Sequence, residues 1–449
     1  MNIEKFLFKK ISIWILLLVI VFSFVLAILF GSLVLRSSTA KKIALIPNTL
    51  NEVFFKSEDV FLASSNRFGS QSGFIKISNK PDDLKGYLLL ARYDAEKKRS
   101  LVELVEVKSG KILHTWKPDI NKINTFSKLP KKINLKRDNS INRYQMYHPV
   151  LLSNGDLITH SLDTPLIRIS ACSELIWFSD KPFHHSIELD HDGNIWSPAI
   201  NFPPKVKGMN IDLNRRDGQI FRNDTIEKIS YNGKSLFSKS LVQIFIDNNL
   251  EKLIFPVGNE YGNHNDPFHL NDIQPVLNDS KFWKRGDIFM SLKQISLVLL
   301  YRPSTNKIIW HKQGPWVYQH DVDVINDHQI AVFDNNRDDF LKSEVKDSNE
   351  ILVYDFEKDE IFSPYQIGFV KNKIKTSDQG LSEILSNGDA FIEETNYGRI
   401  LRMDKNGKIK WQYINRAKNL KIYRTSWSRF LEENLYYSIV EKIANVNCE

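Results

Sequence analysis

The chain has two cysteines, Cys172 and Cys448, among 449 residues. They lie far apart and make neither a metal box nor a disulfide framework. Cys172 sits in a strand-like run, LIRISACSELIWF, and reads as a buried thiol in preference to a bridge to Cys448. The histidines lack the tight HxH and HExxH spacings of metal centres, so neither metal nor cofactor is expected. No block of Lys and Arg interleaved with aromatics marks a nucleic-acid face, although the formal net charge is +8. That basic excess is spread along the chain and suits anionic small molecules or an anionic membrane surface. With 42 % apolar and 12 % aromatic residues the composition excludes disorder and supports a large core.

Charge is absent from one long run. Residues 11–35, ISIWILLLVIVFSFVLAILFGSLVL, carry none, and as a helix they exceed the ~20 residues that cross a bilayer core. A cleavable signal has an apolar region of only about 7–15 residues, so an uncleaved signal anchor is expected. Residues 1–10, with Lys5, Lys9 and Lys10, then form a cytoplasmic tail. Arg36, Lys41 and Lys42 follow the helix and blunt the positive-inside signal. The expected product is a single-pass membrane protein with its large C-terminal part on the extracytoplasmic (periplasmic) side.

Residues 36–80 show little periodicity and read as a linker and lead-in. From 81 to 449 short alternating strands dominate, each pair joined by a polar turn. The stretch 319–336, QHDVDVINDHQIAVFDNN, is a hairpin with His320 at its opening and a turn at Asn326-Asp327. The layout recurs in HPVLLSNGDLITHS from His148, HHSIELDHDGNIW from His184, and HLNDIQPV…GDIFMSLK from His269. A second set of hairpins ends on aromatics, as in VEVKSGKILHTW, YRPSTNKIIW and RMDKNGKIKW. Repeated units of this size predict an all-β fold, a six-bladed β-propeller behind an N-terminal transmembrane helix. LVQIFIDNNLEKLIF has helical spacing, and SRFLEENLYYSIVEKIANVN reads as an amphipathic helix or a closing strand. The long segment 200–223, with Pro203-Pro204, is expected to be a surface loop.

In a propeller the first strand of each blade borders the channel, so His148, His184 or His185, His269 and His320 are expected to meet at one mouth. A metal is one use for such imidazoles, with Asp266, Asp272 and Asp321 nearby. Nucleophilic catalysis is another, with a neutral imidazole attacking an electrophilic centre. Lys293 and Arg337 end second strands near the same rim and could neutralise a sulfuryl or phosphoryl group.

QHDVDVINDHQIAVFDNN resembles the stretch that carries the catalytic histidine in the arylsulfotransferase family, the PAPS-independent six-bladed propeller enzymes. FHLNDIQPV is similar to that family's His-x-Asn stretch, HHSIELDHDGNIW to its earlier histidine strand, and DQGLSEILSNGDAFIEET to its last blade. The likeness covers most of 145–415. It implies that His320 is a nucleophile carrying a transient sulfo group. It also implies that His269 and Asn271 bind sulfuryl oxygens, and that His184 or His185 acts as acid/base or further oxygen ligand. The chain departs from the family's Ser-Ser-Arg-His, reading Ser291-Leu292-Lys293-Gln294. Lys293 keeps the charge without the bidentate fork, and Gln294 replaces an imidazole.

The implied activity moves a sulfo group from an aryl sulfate to a phenolic acceptor through sulfo-histidine, with no cofactor. The alternative is a non-catalytic exported propeller whose His-lined mouth holds an anionic ligand or partner. A quinone-dependent dehydrogenase propeller shares the Trp-ended hairpins but needs a carboxylate-bound calcium that the sequence does not place.

Overall fold

The computed structural model describes residues 13–36, 61–63, 67–130, 133, 135–136, 138–201, 221–254, 266–338 and 344–448. The expected tail at 1–10, much of the 36–80 lead-in and nearly all of the 200–223 loop lie outside these residues. The described chain has two parts. One is α1 (Ile13–Arg36), in which Ile13–Gly31 is exposed and, by length and composition, long and apolar enough to cross a membrane.

The other part is built from short strands. β1 (Gly73–Lys76) is followed by β2 (Tyr87–Asp94), β3 (Arg99–Glu106) and β4 (Ile112–Trp116). Next come β5 (Tyr147–Leu151), β6 (Leu157–His160), β7 (Thr164–Ile169) and β8 (Leu175–Phe183), then β9 (Glu188–Leu189), β10 (Ile195–Ile200), β11 (Asp224–Ile229) and β12 (Ser235–Ser240). β13 (Leu270–Pro275), β14 (Ile288–Leu292), β15 (Leu297–Arg302) and β16 (Lys307–Gln313) follow. After β17 (Asp321–Val324) and β18 (Gln329–Asp334), β19 (Arg337–Asp338) and β20 (Glu344–Val345) make a small ribbon before β21 (Glu350–Asp355) and β22 (Glu360–Phe362). The series ends with β23 (Leu381–Ile384), β24 (Ala390–Glu394), β25 (Arg399–Met403), β26 (Ile409–Ile414) and β27 (Arg429–Leu431). Connections hold the short helices α2 (Ile120–Asn124), α3 (Leu241–Asp247) and α4 (Gln366–Lys371), and α5 (Glu433–Ala444) follows β27.

All pairings are antiparallel, and the arrangement is propeller-like. Four sheets of four or five strands stand as separate blades, in the orders β27-β2-β3-β4, β13-β14-β15-β16, β17-β18-β21-β22 and β1-β26-β25-β24-β23. This corrects the expectation of six separate blades. β5 to β12 form one continuous eight-stranded sheet, because β8 and β10 pair at Ala199 and Phe183. Both ends of the series are used in pairing. β27 lies beside β2, and β1 beside β26, ahead of the expected start at 81.

Strand order explains burial. Second and third strands such as β14 and β15 are covered on both faces and nearly all apolar. Outer strands such as β16, KIIWHKQ, alternate between half-buried and exposed. The aromatics ending the outer hairpins pack across sheets. Trp310 stacks on Tyr354 of the next sheet at 5.0 Å, and Trp411 lies 6.1 Å from Phe430 of β27. At the β11–β12 turn Gly233 has φ +81°, and a Cβ there would lie 2.7 Å from the Trp177 ring of β8.

Successive first strands are clasped by side chains that accept the neighbour's backbone N–H. Ile187 donates to His148 Nδ1 at 3.3 Å, Ile273 to Ser186 Oγ at 3.0 Å, Val322 to Asp272 Oδ2 at 3.0 Å, and Ser382 to Asp321 Oδ2 at 2.9 Å. Asp272 and Asp321 thus serve the architecture by satisfying buried donors.

Cys172 is not a free thiol: it is bonded to Cys448 with an S–S distance of 2.07 Å. The two are 276 residues apart, and α5 brings them together by burying Val440 and Ile443 in the cluster that holds Leu157 and Ile169. The bond fastens the helix that follows the closing strand β27. Cys448→Ser is expected to lower unfolding stability by about 2–5 kcal/mol. Urea unfolding with and without reductant checks this: reductant should weaken the natural chain and leave the variant unchanged.

Candidate functional site

The site forms where first strands begin. His148, His185 and His269 have φ of 39°, 61° and 52°, and Tyr318, Gln379 and Trp427 have 57°, 62° and 60°. These six left-handed positions fall at the starts of β5, β9, β13, β17, β23 and β27. Non-glycine residues seldom adopt this conformation, and it concentrates at functional sites.

The rings at these positions meet. His185 is central: its ring centroid lies 5.0 Å from His184, 5.1 Å from His269, 6.4 Å from His320 and 6.2 Å from Trp427. Trp427 also lies 6.5 Å from His320 and 5.3 Å from His148. His184 and His185 share a hydrogen bond between their Nδ1 atoms at 2.8 Å. Burial, then the neighbouring His184 and His269, hold the His185 pKa well below 6.5, so this ring is neutral.

Each outer imidazole has its own partner. His269 Nδ1 lies 2.5 Å from Asp266 Oδ2, and His184 Nε2 lies 3.5 Å from Asp224 Oδ1. Burial pushes the Asp266 carboxyl up, but its bond to His269 and the nearby Arg222 together outweigh this and hold it below the usual carboxylate range. Arg222 forks onto Asp163 with two bonds of 3.1 Å and brings its Nε within 3.9 Å of Asp266.

His320 is the most closely defined. Asn335 Nδ2 donates to the Thr376 and Gln379 carbonyls at 3.0 and 2.8 Å, which turns Asn335 Oδ1 toward His320. That oxygen lies 2.6 Å from Nδ1, and the Tyr318 carbonyl lies 3.0 Å from it. Two acceptors place the proton on Nδ1. Nε2 keeps the lone pair and accepts the Gln379 N–H at 3.0 Å. Burial is the largest influence on His320 and lowers its pKa from 6.5. Gly380 follows with φ +92°, and a Cβ there would be 2.5 Å from Thr376 Cγ2.

Lys293 is buried with its Nζ 2.7 Å from Asp378 Oδ1, which itself lies 3.3 Å from His320 Nε2. Asn271 Nδ2 donates to the Gln319 carbonyl at 2.9 Å, while its buried Oδ1 has no partner among the described residues. Arg337 lies farther out, its guanidinium 5.1 Å over the Tyr318 ring, the same ring that Lys293 approaches at 5.9 Å. Gln294 is tied in through its backbone, its N–H on the Phe268 carbonyl at 3.0 Å. Among the described residues no group of three or more His, Cys, Asp or Glu is arranged to hold a metal.

Sequence reasoning missed Asn335, Asp378, Gln379, Arg222 and Trp427. Asn335 stands in the quoted FDNN, and Asp378-Gln379-Gly380 opens the last histidine-free repeat. Their contacts with His320 cross 15 and 59 residues of chain. Nothing in Trp427's neighbourhood marks it.

Sheets in a propeller-like array thus bring imidazoles together at their first strands, with a cation near one of them. The chain belongs to the arylsulfotransferase (ASST) family, whose model matches residues 148–416. No curated protein matches it. Among solved structures, a protein of unknown function from Bacteroides caccae is 12 % identical over 77 % of this chain and 99 % of its own, with a TM-score of 0.47. A streptogramin B lyase is 12 % identical over 82 % and 96 %, with a TM-score of 0.38. A catalytically inactive virginiamycin B lyase variant from Staphylococcus aureus, solved with quinupristin, is 12 % identical over 80 % and 98 %, with a TM-score of 0.39.

Proposed function

We propose that the protein transfers a sulfo group from an aryl sulfate to a phenol through His320. The observation that carries this reading is the pair of acceptors on one side of His320: Asn335 Oδ1 at 2.6 Å and the Tyr318 carbonyl at 3.0 Å from Nδ1 leave Nε2 as the nucleophilic nitrogen. In the first half-reaction the Nε2 lone pair attacks sulfur, the S–O(aryl) bond breaks, and its electron pair leaves on the phenolate. The sulfo-imidazolium formed keeps its Nδ1–H on Asn335 Oδ1, which faces the developing positive charge. In the second, the acceptor oxygen attacks sulfur, the N–S bond breaks, and its electrons return to Nε2. The acceptor's proton passes to the His185 imidazole, which burial holds neutral. Asn271, His184, His269 and Lys293 are the groups proposed to hold sulfuryl oxygens, with Gln294 and Arg337 at the margin. Incubating the protein with 4-nitrophenyl sulfate and phenol tests this: phenyl sulfate should form only with both present.

The same reading treats the eight-stranded sheet as two blades joined at one residue pair. Six left-handed positions at six first strands support a six-bladed ring. It also places the sheets outside the cytoplasm on a membrane anchor formed by α1, supported by that helix and by the disulfide, a bond of oxidising compartments.

The nucleophile must be neutral, and burial places its pKa below 6.5. The rate should therefore stay level down to pH 6.5 and fall only as pH drops through the lower folded value. A profile of kcat/KM against pH checks this, and a decline centred at or above 6.5 contradicts it.

A non-catalytic binding reading has one observation in its favour: Lys293 is already paired with Asp378, and Nε2 is already hydrogen-bonded. Failure of every aryl sulfate to leave a sulfo group on the protein would select it.

A further inference from the structure

We propose that Asp378 is a resident anion occupying the sulfuryl seat between Lys293 and His320, which a donor must displace to react. This rests on the sulfo-transfer reading for the identity of the displacing group. The geometry has three parts. Asp378 Oδ1 lies against both groups that a donor must reach, Lys293 Nζ at 2.7 Å, which would hold a sulfuryl oxygen, and His320 Nε2 at 3.3 Å, which would attack the sulfur. Its side chain is 44 % exposed while Lys293 and His320 are 9 % and 1 % exposed, so the carboxylate can leave and the seat stays. The next residue's N–H caps the His320 lone pair at 3.0 Å, so donor attack requires that bond to open too.

The backbone around the carboxylate is held from behind. Asp378 N–H donates to Asn396 Oδ1 at 2.9 Å, and Thr376 Oγ1 donates to the Asp378 carbonyl at 3.0 Å. The side chain is therefore the part free to swing, and the Gln379 peptide, at φ +62°, the part placed to turn. Burial pushes the Asp378 carboxyl up, while the Lys293 ammonium 2.7 Å away pulls it down and favours the ionised form. An anion in the seat lowers the apparent affinity for any other anion by the fraction of time the seat is filled. It also supplies a negative charge that a sulfate monoester, with one charge, meets less strongly than a doubly charged phosphate monoester does.

The test uses the full chain in detergent and 4-nitrobenzenesulfonate, an aryl sulfonate with no S–O–aryl bond to break. Calorimetry on Asp378→Asn should show binding about tenfold tighter than the natural chain, the scale of removing one partly exposed competing ion pair. Asp378→Glu, which keeps a competing charge, should bind no tighter than the natural chain. Should Asp378→Asn fail to fold, Asp378→Ser carries the same expectation. Unchanged or weaker binding in the neutral variants overturns the proposal. Transfer from 4-nitrophenyl sulfate is measured separately. Tighter sulfonate binding with no transfer leaves the occupied seat standing and removes the transferase reading. Intact transfer with unchanged sulfonate affinity does the reverse.

Discussion

His320→Ala is expected to reduce sulfo transfer from 4-nitrophenyl sulfate by about 10³-fold or more, the scale seen when a covalent nucleophile is removed. His320 is fully buried, and its Nδ1 side is fixed by Asn335 and the Tyr318 carbonyl. None of the neighbouring rings has this arrangement. His185 shares its Nδ1 with His184, and His269 faces Asp266. Thermal unfolding should show a folded variant, because His320 gives up one such clasp, on the Gln379 N–H, while Asp321 and Asp272 keep theirs. Residual transfer above a tenth of the natural rate would move the nucleophile to another residue.

Asn335 is the second large effect, as a positioning residue. Its side chain joins three partners: His320 Nδ1 at 2.6 Å and the Thr376 and Gln379 carbonyls at 3.0 and 2.8 Å. Asn335→Ala removes the shorter of the two contacts on Nδ1, leaving the Tyr318 carbonyl alone to orient the ring, and is expected to lower kcat by about 10²-fold, by the logic of an orienting group behind a catalytic histidine. It also removes the donor to the Gln379 carbonyl, while the Thr376 carbonyl keeps Asn349 Nδ2 at 3.0 Å, so a loss of about 1–3 kcal/mol in stability should accompany it. Asn335→Asp separates positioning from packing. It keeps the acceptor and adds a negative charge beside Nδ1, which raises the His320 pKa. Protonation then removes the nucleophile at higher pH, so the acid limb of the rate profile should move upward. An unshifted limb would mean that Asn335 acts on stability alone.

The convergence of His185, His269 and His320 could be read from the sequence because each opens a repeated strand unit, and repetition in a propeller means a shared axis. The same reading expected a helix over LVQIFIDNNLEKLIF, of which α3 takes only Leu241–Asp247 before the chain turns at Asn248 and Asn249, and it left the tail open between helix and strand. The tail is both: β27 pairs with β2, and α5 follows. What the pattern could not carry was contact across unequal separations. The Cys172–Cys448 bond spans 276 residues and has no local signature. The fusion of β5–β12 into one sheet rests on a single pair, Ala199 with Phe183, which no periodicity marks. Asp272 and Asp321 looked like candidate metal carboxylates, because composition cannot tell an exposed ligand from a clasp on a buried N–H. Lys293 was visible as the departure from Arg, but its partner, 85 residues on, was not.

The central claim is that a sulfo group rests on His320. Rapid mixing with 4-nitrophenyl sulfate in the absence of any acceptor, followed by peptide mass spectrometry, addresses it directly. The expected result is one added SO3 on the peptide containing His320, discharged when phenol is supplied and absent from His320→Ala. An adduct on a different residue, or none while transfer proceeds, would contradict it.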